Sequence, residues 1–66
     1  MTRTSKMKEL RVAYAAADDE LHEATVAERR LRIAGKTVEA AAAAMVRDEK
    51  LRIADDLSKA IRDARA

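Results

Sequence analysis

The chain has 66 residues, 14 basic and 12 acidic, for a formal charge of +2, with one glycine, no proline and no cysteine. That length holds one domain, residues 1–66. The lack of cysteine excludes disulfides and thiolate metal sites, and so small a net charge does not by itself point to a polyanionic partner.

Apolar residues are 48% of the chain, but half of them are alanine and only Tyr14 is aromatic. A chain this short buries a modest fraction of its surface even with an ordinary core. Ordering costs about 1.5 kcal/mol per residue, against about 25 cal/mol per Å² of apolar burial. Alanine contributes little area, so a lone monomer is expected to be marginal, and a second copy or a partner protein is the expected remedy.

Residues 1–5 read as a polar lead-in, with Thr4 or Ser5 as candidate N-cap. From there a helix is expected over about 5–34. Met7, Leu10, Tyr14, Ala17, Leu21, Ala24 and Leu31 alternate by three and four, broken only at Glu28, where the pattern calls for an apolar residue. That spacing makes one stripe of a helix and is the seam of a left-handed helix pair.

Gly35 fits the residue just past a helix end, where a left-handed backbone costs glycine little. Thr37 fits the N-cap of the next helix, with Glu39 favourable in its first turn. The turn is placed at 35–37 and a second helix at about 38–64. Without that turn, the chain would run through as one long rod. On the second helix, Ala43, Val46, Lys50, Ile53, Leu57, Ala60 and Ala64 form the expected seam. A fold at Gly35 brings the two stripes face to face, Tyr14 against Leu57 and Ala24 against Val46 or Arg47.

The predicted fold is therefore all-α, an antiparallel two-helix hairpin. Apolar residues are left over: Val12, Val26 and Ile33 off the first seam, and Ala40, Ala44, Leu51 and Ile61 as a second row. A second copy would cover them, giving a dimer that is a four-helix bundle.

Chemistry is poorly supported. Gly35-Lys36-Thr37 matches the end of a phosphate-binding loop, but Arg30 stands where the loop needs its first glycine, and no strand precedes it. His22 is the sole histidine and has only Asp18, Asp19 and Glu23 near it, without facing Glu-x-x-His motifs. No nucleophile has a base at helical spacing. No catalytic, cofactor-binding or metal-ligating residue is assigned, and no cofactor is expected.

The chain is read as a non-enzymatic protein–protein interaction or assembly module, with a regulatory adaptor as one form of that role. Helices of a partner protein would dock on Val12, Val26, Ile33, Val38, Met45 and Leu51, with arginine forks setting orientation. The alternative is nucleic-acid binding through basic clusters at the two ends of a dimeric hairpin. Arg29, Arg30, Arg32 and Lys36 surround the turn, and Arg3, Lys6, Arg62 and Arg65 meet at the other end. In architecture, though without a shared motif, such a dimer resembles the small plasmid copy-number regulators that bind RNA. The longest apolar run, Ala40 to Val46, falls far short of the roughly 20 residues of a membrane span. The first residues lack the apolar segment of a secretory signal. A cytoplasmic protein without a membrane partner is expected.

Overall fold

Gly35 has φ +78°, a left-handed backbone that only glycine adopts at little cost. Around it the Lys36 amide donates to the Leu31 carbonyl at 2.9 Å and the Gly35 amide to the Arg32 carbonyl at 3.1 Å. These crossed bonds make a Schellman motif, which satisfies carbonyls that the end of the first helix would otherwise leave open. The chain then reverses: the Ala40 amide donates to the Lys36 carbonyl at 2.8 Å, opening the second helix. Thr37 is thus the first helical residue, and Lys36 holds the capping position expected of Thr37.

The structure, a computed structural model, describes residues 3–65, with side chains described from Ser5 onward. It is all-helical. Helix α1 spans Arg3–Ile33 and helix α2 spans Thr37–Arg65. The α1 helix therefore begins ahead of Thr4 and Ser5, which lie inside its first turn. Basic Arg30 and Arg32 close α1, Glu39 opens α2, and Arg62 and Arg65 close it. Each sits where the helix dipole favours its charge. The two helices pack along their length as an antiparallel hairpin measuring 50 × 14 × 14 Å.

Burial along α1 follows the expected stripe. Ala17 is buried, and Met7, Leu10, Leu21, Ala24 and Leu31 are half-buried. Tyr14 lies at the edge of the seam, more open than the rest. On α2 the seam is rotated by one residue from the expected stripe. Ala40 and Ala54 are buried and Arg47 and Ile61 are half-buried, while Val46 and Ile53 remain exposed. Ala43, Lys50, Leu57 and Ala64 belong to both stripes and stay in the interface.

The reason is size. Alanine at the contact lets two backbones approach closely, whereas Val46 and Ile53 would hold the axes apart. The gain from approach is dispersion between many backbone and Cβ atoms. The cost is that no large side chain among the described residues is fully buried.

Candidate interaction surface

Among the described residues, the seam contains one buried charge. Glu28, only 5% exposed, faces α2 near the turn. A lone carboxylate there would lose its hydration without compensation. Two arginines converge on it: Arg32 Nε donates to Oε2 at 2.6 Å, and Arg47 Nη1, from the other helix, donates to Oε1. Arg47 also donates to Asp48 Oδ1, from Nη2 at 3.1 Å. Beside this knot the Thr25 hydroxyl donates to the Leu21 carbonyl at 2.8 Å. The broad face of the hairpin on this side is consequently polar, with Thr25, Glu28, Arg29, Arg32 and Arg47 around one shallow depression.

Glu28 reads in sequence as a break in the heptad. Two signals mark its role: Arg32 stands four residues on, and the register places Arg47 within a turn of it on the facing helix. Elsewhere on α2, oppositely charged residues four apart do not pair among the described residues. Asp48 takes Arg47 rather than Arg52, and no ion pair joins Asp55, Lys59 and Asp63.

The opposite broad face is different. Its middle is crossed by one pair, Lys50 Nζ to Glu20 Oε1 at 3.6 Å. Ala13 and Ala27 stand seven residues either side of Glu20, on the same stripe of α1. Val46 and Ile53 flank Lys50 on the side away from the buried Ala54. The face is thus alanine on one helix and β-branched on the other, with Val46 at 48% and Ile53 at 43% exposure.

The six residues read as a protein-binding row do not form one surface. Val12, Val26 and Ile33 are separated by multiples of seven and share the side of α1 turned away from α2. Val38 and Met45 likewise share the outer side of α2, so the two groups face opposite directions. Val12, Ile33, Val38 and Met45 are strongly exposed. Val26 is half-buried among His22, Glu23, Ala27 and Arg30 of its own helix. Leu51 lies at the edge of the polar broad face.

Among the basic residues, Arg29, Arg30 and Lys36 are exposed, and no ion pair among the described residues engages them. Arg32 is held by Glu28 and is less free to grip a phosphate. At the far end Lys6, Arg62 and Arg65 are exposed, and the Arg3 side chain lies outside the described residues. There, Lys8, Arg11 and Arg65 rim an open apolar groove floored by Met7, Val12, Ala15 and Ala64. His22 is exposed, and no group of three metal-ligating side chains occurs among the described residues. Among the described residues, no helix is long and apolar enough to cross a membrane.

Set against protein-family models, characterised proteins and solved structures, the chain has no significant match in any of the three.

Proposed function

We propose that this protein is a non-enzymatic helical interaction module that works by docking further helices onto its hairpin, and that its first partner is a second copy of itself, giving a four-helix bundle. The observation that supports this is surface. The hairpin exposes 5213 Å² at a mass of 7.3 kDa. A folded monomer of that mass exposes about 4,200 Å² by the usual size scaling. The excess, roughly 1,000 Å², is close to the ~800 Å² that each partner contributes to a standard interface. Part of the exposed surface is apolar, as at Val46 and Ile53.

Light scattering on the purified chain tests this. The expected mass is twice 7.3 kDa. A monomer at micromolar concentration, with full helicity, would contradict self-association.

A second reading draws on Arg29, Arg30 and Lys36, three exposed and unpaired cations around one turn. They suit the phosphates of a nucleic acid, bound without regard to sequence. Such a protein would shift a generic RNA hairpin at low salt and lose it steeply as salt rises. No shift at low salt would dispose of this reading.

A further inference from the structure

Taking self-association as above, we infer that the second copy docks on the Glu20–Lys50 face, related by a two-fold axis along the rod, so that both Gly35 turns lie at the same end. Two stacked hairpins have two ways to obey two-fold symmetry with the axis in the interface. With the axis along the rod, α1 of one copy lies over α2 of the other. With the axis across the rod, each helix lies over its own copy.

Charge separates the two arrangements. Glu20 and Lys50 are each fifteen residues from Gly35, so they cross the face at one level. That level is near the middle of the rod, since α1 spans Arg3–Ile33 and α2 spans Thr37–Arg65. An axis along the rod sets Glu20 over the second copy's Lys50, and the four charges alternate around a square. An axis across it sets Glu20 over Glu20 and Lys50 over Lys50, and like charges brought together out of water repel.

Side-chain size gives the same answer independently. Counted from Gly35, Ala27 lies near the level of Val46, and Ala13 and Glu20 straddle the level of Ile53. With the axis along the rod, Val46 therefore meets Ala27, large against small, and Ile53 fits between Ala13 and the stem of Glu20, as close packing requires. With the axis across it, Val46 falls near Ile53 of the other copy while alanine faces alanine. One contact would be crowded and the other empty.

The chain has no cysteine, so Lys36→Cys carries a single nitroxide label at the exposed turn. Dipolar spectroscopy on the labelled dimer should give a distance well under half of the 50 Å length of the rod. A distance near 50 Å would overturn the inferred orientation and leave self-association standing. Val46→Glu with Ile53→Glu should weaken the dimer at least roughly a hundredfold, by placing unpaired charge in the interface. Val38→Glu with Met45→Glu, on the outer side of α2, should leave it intact. A dimer that survives the first pair, or is lost with the second, would overturn the assignment of the face. A monomeric parent chain would overturn the inference together with the reading it rests on.

Discussion

Arg47 of α2 donates from Nη1 to Oε1 of Glu28 of α1, a charged contact across a seam otherwise lined mainly by buried alanine and half-buried apolar side chains. Apolar burial between two alanine-lined rods is nearly indifferent to sliding by a turn. A carboxylate that must meet an arginine fork is not. The pair adds directionality where hydrophobic contact supplies little.

Arg47→Met should therefore destabilise the hairpin. Glu28, with its side chain 7% exposed, would keep only Arg32. An underpaired buried carboxylate costs about 1–3 kcal/mol. The Arg47 side chain is itself 34% exposed, which favours the lower half of that range. Melting followed by circular dichroism should fall about 4–8 °C for each kcal/mol lost. Replacing both partners, Glu28→Leu with Arg47→Leu, should restore the melting temperature or raise it, since well-packed apolar pairs match buried ion pairs. An unchanged melt for Arg47→Met would remove the contact from the account of stability.

Gly35→Ala probes the turn. An added Cβ meets nothing within 4 Å, so any penalty comes from the backbone alone. Holding alanine at positive φ costs about 1–2 kcal/mol. Gly35→Asn should cost less, because asparagine tolerates that region better. Small-angle scattering of the alanine variant should still give a hairpin near 50 Å long. A rod about twice that length would mean that the turn depends on glycine itself.

Ala54→Leu tests the close approach of the helices. Ala54 is buried in the seam, and extra methylenes there force the backbones apart at a cost of about 1–3 kcal/mol. Ala41→Leu, on an exposed position of the same helix, should change stability by about 0.5 kcal/mol or less. Equal effects in denaturant titration would mean that the seam is not the tight contact.

Arg29→Ala with Arg30→Ala separates charge from fold. Both side chains are exposed, so helicity and self-association should match the parent chain. Any RNA affinity should drop, and its salt dependence should flatten by about one power of salt concentration per lost contact. An unaltered salt slope would place phosphate contacts elsewhere.

Helix, turn and reversal are legible in the residues because each is local. The spacing of Met7, Leu10, Ala17, Leu21 and Ala24 is a property of one helix, and a lone glycine closing a helix is a property of a few consecutive backbone units, although the cap of α2 falls on Lys36 rather than on Thr37. The candidate surface was harder to read. Val12, Val26 and Ile33 share a stripe by arithmetic, as do Val38 and Met45, but nothing in one helix says how its stripes are turned relative to the other.

That relation belongs to the tertiary structure. On α2, two overlapping stripes are comparably apolar, and periodicity favours the one with the larger side chains, Val46 and Ile53. Packing selects the one with Ala40 and Ala54 instead, because closeness of two backbones depends on the smallest residues at the contact. The same rotation carries Arg47 onto Glu28 and leaves Val46 and Ile53 open beside Glu20 and Lys50. Periodicity by itself determined two helices and a turn; the distance between their axes decided which side chains are seam and which are surface.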